Sequence, residues 1–280
     1  MSEPERYPAG VPCWVETLQP DPQAALDFYG PLFGWEFAGP APMPGDPPGQ
    51  YVVARVRGRD VAGIGSLPDR SDSRPPTWST FIRVDSADET AERAKSFGGS
   101  LRDGPFDALP AGRMAVIADP VGAPVCVWEA RAREGAQLVN APGAWAMSLL
   151  HTTDPEAAKA FYGAVFGWRP ELFGEPGAQI TLWRLPGYVG GEPQQPVPRD
   201  VVGVMTPIGD DVSPSAVEPH WSVDFWVDDA DATVHHATRL GGKVMVPPSD
   251  GPGFRSAVLS DPRGAVFSIS QLTGPPAGPS

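Results

Sequence analysis

Asp-Pro-Gln-Ala-Ala-Leu-Asp-Phe-Tyr-Gly-Pro-Leu-Phe-Gly-Trp, from Asp21 to Trp35, returns as Asp-Pro-Glu-Ala-Ala-Lys-Ala-Phe-Tyr-Gly-Ala-Val-Phe-Gly-Trp, from Asp154 to Trp168. Both ends keep one offset, 154 − 21 = 133 and 168 − 35 = 133. A long match at constant spacing means a duplicated domain. Each copy reads as a helix with its punctuation. Asp is a good N-cap, and proline suits the first helical position, where its missing N–H has no partner to lose. Ala25, Phe28, Tyr29 and Leu32 recur at helical spacing as one apolar stripe. Gly34 ends the helix and Trp35 opens a strand. Phe28, Tyr29 and Trp35 are therefore expected to pin the helix onto a sheet.

Working outward, Pro12–Leu18 reads as a strand before the first helix, with further strands near Trp35–Phe37, at Tyr51–Val56 and at Asp60–Leu67. Pro40–Gly49 reads as a loop from its proline and glycine. The order strand, helix, three strands restarts at Trp78–Val84. A helix over Asp85–Phe97 closes on Gly98-Gly99, and strands follow at Ser100–Arg102, Arg113–Asp119 and Pro124–Ala130. The second half repeats the plan, with strands at Met147–His151, Gln179–Leu185, Val201–Thr206 and Trp221–Val227 and helices at Asp154–Phe166 and Asp229–Leu240. Gly241-Gly242 and Asp261-Pro262 repeat Gly98-Gly99 and Asp119-Pro120. The expected fold class is α+β: tandem domains, each of two βαβββ modules forming a half-open curved sheet with helices on its outer face. The expected boundaries are a first domain at 1–130, a linker at 131–142, a second domain at 143–274 and a loose tail at 275–280.

The net charge of −13 opposes binding to a phosphate backbone, so nucleic acid is not an expected partner. The two cysteines make no disulfide framework. No apolar run has the length of a membrane span, and the polar start is unlike a signal peptide. A cytoplasmic protein without a membrane partner is the expectation, with homodimerisation open.

The Phe-Tyr…Phe-Gly-Trp helix, the Val-Asp-x-Ala-Asp opening of the second helix, its Gly-Gly ending and the Asp-Pro-x-Gly turn resemble the vicinal oxygen chelate superfamily of glyoxalases, bleomycin-resistance proteins and extradiol dioxygenases. Closer still, the chain is similar to a two-domain actinobacterial branch of glyoxalase-like proteins. The resemblance implies one divalent metal in the sheet's concave face, held by His, Glu or Gln on the first and last strands of each module. Counted onto this sequence, the first domain's positions fall on Trp14 (or Cys13), within Ala62–Gly65, on Ser79 and on Cys126. The second domain's fall on Met147, within Val202–Met205, on Ser222 and on Ser268. None is a standard ligand for a hard or borderline ion, so no metal, no cofactor and no catalytic residue is assigned. His151 and His220 read as isolated rim residues. Cys13 and Cys126 read as two free thiols, although a soft metal site stays open if both face the cavity.

Strand alternation predicts which side chains line the concave faces. In the first domain these are Trp14, Glu16, Ser79, Phe81, Arg83, Cys126 and Trp128. In the second they are Met147, His151, Ser222, Asp224, Trp226 and Ser268, with Leu149 and Ser270 beside them. Aromatic faces stack on flat ligands and Arg adds cation–π or carboxylate pairing. The expected function is metal-independent binding, or sequestration, of a planar hydrophobic small molecule. The guest would be a natural product or antibiotic, and the protein a resistance or biosynthetic accessory. The acidic charge also suits a cationic aromatic guest. The alternative is an enzyme, a lyase, isomerase or dioxygenase-like catalyst, using metal or acid–base chemistry by Glu16 or Asp224.

Overall fold

The structure is a computed structural model that describes residues 7–43, 48–67, 75–174, 179–190, 199–209, 218–251 and 253–273. The first six residues, the centres of the proline-rich loops and the tail expected at 275–280 lie outside these.

Four modules follow one another, each a strand, a helix and three strands. Module 1 is β1 (Pro12–Gln19), α1 (Pro22–Phe33), β2 (Glu36–Met43), β3 (Gly49–Val56) and β4 (Arg59–Ser66). Module 2 is β5 (Trp78–Arg83), α2 (Ala87–Ser96), β6 (Ser100–Ala108), β7 (Gly112–Ala118) and β8 (Pro124–Ala130). Module 3 is β9 (Trp145–Thr152), α3 (Pro155–Phe166), β10 (Arg169–Phe173), β11 (Ile180–Arg184) and β12 (Val201–Pro207). Module 4 is β13 (His220–Trp226), α4 (Ala230–Arg239), β14 (Lys243–Gly251), β15 (Phe254–Ser260) and β16 (Val266–Leu272). The strands make two eight-stranded mixed sheets, ordered β2-β3-β4-β1-β5-β8-β7-β6 and β10-β11-β12-β9-β13-β16-β15-β14. This is the α+β, twice-repeated plan read from the sequence.

The repeated helices are capped as their sequence predicts. Asp21 accepts from the Ala24 N–H at 3.2 Å and Asp154 from the Ala157 N–H at 2.9 Å. Gly34 and Gly167 then end the helices in the left-handed conformation, at φ 68° and 75°. Strand ends depart from expectation on the sheet edges. β2 runs on to Met43 through part of the stretch read as a loop, and β6 runs on from Arg102 to Ala108. Both carry a register shift around a Gly-Pro pair, at 39–40 and 104–105. An edge strand can hold proline in a bulge because no ladder hydrogen bond is lost there.

Packing gathers the chain into two compact units, and neither is contiguous. One comprises Met1–Trp14, Ser79–Gly135 and Met147–Ser222; the other comprises Val15–Trp78, Ala136–Ala146 and Val223–Ser280. Thus α2 shares a core with α3, and α1 shares one with α4. The repeated aromatic residues explain this pairing. Tyr29 Oη accepts from the Trp78 indole N–H at 3.0 Å and donates to Asp261 of the module 4 turn at 3.1 Å. Tyr162 Oη accepts from the Trp221 indole at 2.9 Å and donates to Asp119 of the module 2 turn at 3.4 Å. The Trp35 and Trp168 indoles donate to the Gly143 and Gly10 carbonyls, both at 2.6 Å. A buried hydroxyl or indole without a partner costs about 1–3 kcal/mol, so each polar tip fixes which module its helix meets. The paired glycines serve the same contact. Gly98 and Gly241 turn the chain at positive φ. A Cβ on Gly99 would come within 2.6 Å of the Phe161 ring, and one on Gly242 within 2.9 Å of the Phe28 ring.

Candidate functional site

Alternation in the central strands separates two sets of side chains. Val15, Ile82, Val84, Val125, Val127, Leu150, Val223, Phe225, Phe267 and Ile269 lie in the helix-packed cores. Strand alternation puts the predicted site residues on the opposite faces of these strands, away from the helix-packed cores.

On the module 2 face, Phe81 pairs with Cys126 across β5 and β8, and Arg83 pairs with Trp128. The Phe81 and Trp128 rings meet edge to face at 6.2 Å. Arg133, from the segment after β8, places its guanidinium 5.3 Å from the centroid of the Trp14 ring, and its carbonyl accepts from the Trp128 indole at 2.9 Å. Trp14, Phe81, Cys126 and Trp128 are buried; Ser79 and Arg83 are half-buried. Arg83 donates to the Val84 carbonyl and lies 3.6 Å from Asp85. Cys13 shares a strand face with the core residues Val11 and Val15, whereas Cys126 points away from its core neighbours Val125 and Val127, so the two thiols fall on opposite sides of the strands. Burial pushes the Cys13 thiol well above its usual range.

On the module 1 face, Glu16 accepts from Tyr51 Oη at 2.7 Å and is paired in register with Gly63. A Cβ on Gly63 would collide with Tyr51 Oη. The phenol therefore fills the space into which a second-position ligand side chain would project.

On the module 3 face, His151 Nε2 lies 2.9 Å from Ser222 Oγ, and the His151 ring stacks on His220 at 4.6 Å. The two histidines are therefore not isolated, as the sequence suggested. Sixty-nine residues separate them along the chain (220 − 151 = 69), and the neighbouring strands β9 and β13 bring them together. Burial, and then the charge of His220, lower the His151 pKa to about 4, so its imidazole is neutral at pH 7. Met147 stands half-buried near the start of the same strand.

On the module 4 face, Asp224 pairs with Ser268 and Trp226 with Ser270. Ser270 Oγ donates to Asp224 Oδ1 at 2.9 Å, and Ser268 stands opposite Asp224 in register. Ser268 Oγ donates to the Val223 carbonyl at 3.1 Å. Burial raises the Asp224 pKa to about 7 against the pull of both serines. Trp226, two residues along on the same face, is buried.

A fold of this kind implies a chelated cation, and the donor set does not fit one. The counted positions hold indole, glycine, hydroxyl, thiol and thioether groups. Among the described residues no three His, Cys, Asp or Glu side chains stand together in a way that could hold a metal ion. Tyr51, Arg133, His220 and Ser270 belong beside the predicted residues. The first two escaped the sequence reading because alternation within one strand carries no information about side chains arriving from a neighbouring strand or a connecting segment.

A profile of the glyoxalase/bleomycin resistance protein/dioxygenase superfamily matches residues 14–127, and one of the glyoxalase-like domain matches 147–270. The chain belongs to this superfamily. It is 38% identical over 273 residues to the "Putative glyoxylase CFP32" of Mycobacterium tuberculosis, covering 96% of this chain and 97% of that one. It is 35% identical over 280 residues to the anthracycline biosynthesis protein DnrV of Streptomyces peucetius, covering 95% of each. Among solved structures, the Mn(II)-bound glyoxalase from Novosphingobium aromaticivorans shares the fold at TM-score 0.61 and 14% identity, over 94% of this chain and 82% of that one. No helix among the described residues is long and apolar enough to cross a membrane.

Proposed function

We propose that this protein binds a planar, hydrophobic small molecule without a metal, as a resistance or biosynthetic accessory protein for a natural product. The observation that carries the reading is that Trp14 and Cys126 stand at counted metal positions, with Phe81 and Trp128 beside Cys126 and Arg133 on the Trp14 face. A guanidinium over an indole occupies the position a flat guest would take, and such a contact contributes about 0.5–1 kcal/mol at an exposed site and about 2 kcal/mol when desolvated. Stacking a ring there is worth roughly 1–3 kcal/mol by analogy with bases on aromatic side chains. The relative named for anthracycline biosynthesis supports fused aromatic rings as the guest class.

Titration with an anthracycline, followed by tryptophan fluorescence, tests this reading. Saturable quenching at one equivalent in chelator-treated protein, weakened at least tenfold by Trp14→Ala, is the expected result. Stoichiometric transition metal in purified protein, with turnover that chelator abolishes, overturns it. The pair of Ser222 with a neutral His151 2.9 Å away favours a second reading, acid–base catalysis. Turnover that survives chelator and is lost in His151→Gln is its signature.

A further inference from the structure

Among the described residues the buried aspartates are Asp60, Asp119, Asp224 and Asp261. Three of them have a task within the fold. Asp60 pairs with Arg55 at 2.7 Å. Asp119 and Asp261 accept the backbone N–H groups of their own turns, from Ala123 and Ala265 at 2.9 Å each. Asp224 has no such task. It lies on a helix-free face, 6% exposed, with the Ser270 hydroxyl as its donor, Ser268 opposite it in register and no cation paired with it among the described residues. Arg255, on β15 of the same module, is already held by Asp231 at 2.7 Å and Asp250 at 2.9 Å.

The repeat supplies a control for whether the fold needs this carboxylate. Asp224–Ser268 and Trp226–Ser270 occupy the same register as Phe81–Cys126 and Arg83–Trp128. On the adjacent strands, Ser256 and Val258 stand where module 2 has Met114 and Val116. Module 2 is thus the same framework with phenylalanine at the position. Module 4 also exchanges Trp128 and Met114 for Ser270 and Ser256, and all four of Ser256, Val258, Ser268 and Ser270 are half-buried. Large apolar groups have given way to small hydroxyls around an acid that the framework does not require. Burying a carboxylate without a cation is costly, and that cost is relieved when a partner of opposite charge arrives.

Building on the small-molecule reading above, we propose that Asp224 is the anchor for an organic ammonium group, so that module 4 takes an aromatic guest carrying a protonated amine. Ser270 orients the carboxylate, and Trp226 offers an indole on the same face. The protein's net charge of −13 adds long-range attraction for the same ligand class.

Two probes with one ring system provide the test: 1-naphthylmethylamine, and its neutral acetamide, N-(1-naphthylmethyl)acetamide. Binding of each to the full chain is measured by calorimetry at pH 8, for wild type, Asp224→Asn and Asp224→Glu. The amine is expected to bind wild type at least tenfold more tightly than the acetamide. Asp224→Asn should erase that preference, and Asp224→Glu should restore part of it. Equal affinities in wild type, or a preference that survives in a folded Asp224→Asn, overturn the ammonium assignment and leave the aromatic reading standing. Failure of both probes, together with failure of the anthracycline titration, overturns both.

Discussion

The faces of modules 2 and 4 are built on one framework and carry opposite chemistry. Behind the strands the two agree closely. Each has an Asp-Pro turn whose carboxylate meets a helix tyrosine, and a Gly-Gly that admits a helix phenylalanine. In front of the strands they diverge. Phe81, Cys126 and Trp128 with Met114 stand on one, and Asp224, Ser268 and Ser270 with Ser256 on the other. The side that builds the core is constrained by packing volume and buried hydrogen bonds. The other side lies outside the two helix-packed cores, and there the two copies differ.

The harshest way to break this comparison is to move the acid across it. Phe81→Asp should lower unfolding free energy by at least about 4 kcal/mol in urea denaturation. It removes a buried ring and leaves a carboxylate without the serine donor that Asp224 has. A result near zero would mean that the faces are interchangeable.

A gentler test keeps the acid in place and changes pH. The folded pKa of Asp224, about 7, lies above the ordinary carboxylate value near 4. The folded state therefore holds the extra proton between those values. The associated stability is present in full below about pH 4 and is lost as pH rises through about 7. Asp224→Asn removes this dependence. The variant should gain on wild type from pH 4 to pH 8, by up to about 4 kcal/mol, read from paired denaturation curves. His151 runs the other way. Its folded pKa of about 4 lies below the ordinary imidazole range, so wild type loses stability as pH falls from about 6.5 to 4. His151→Gln should flatten that acid limb.

The smallest effects test sameness. Gly99→Ala and Gly242→Ala each push a Cβ against a phenylalanine ring and a backbone carbonyl, Ala118 in one case and Ser260 in the other. Each should cost about 1–3 kcal/mol in thermal or urea unfolding, the cost of overpacking a core. Gly99→Ala should be the dearer of the two, because its contacts of 2.5 and 2.6 Å are closer than 2.8 and 2.9 Å. Widely different costs would show that the two cores are less alike than their sequences.

Most of the fold could be read from residues alone because its signals are local. The Asp-Pro cap, the apolar stripe of α1 and the glycine stop lie within one stretch, and so do the alternating strands such as β5. Strand ends on the edges were not legible, since β2 and β6 are extended by pairing with a neighbour that accommodates a Gly-Pro bulge. Within the site, the alternation of Trp14, Phe81, Asp224 and their neighbours was visible, because each belongs to a single strand. The stack of His151 on His220, the Arg133 guanidinium over Trp14 and the phenol of Tyr51 over Gly63 were not.

The sequence by itself determined the duplication, the four modules, the face on which each strand residue stands and the lack of chelating side chains at the superfamily's metal positions. These follow from periodicity and residue type. Only the tertiary structure decided that α1 shares a core with α4 and α2 with α3, and that Asp224 is buried beside Ser270 and Ser268 with no cation paired to it among the described residues. Those outcomes depend on contacts between residues far apart in the chain. Burial, which sets the cost of a charge and the need for each hydrogen bond, arises only when such contacts form.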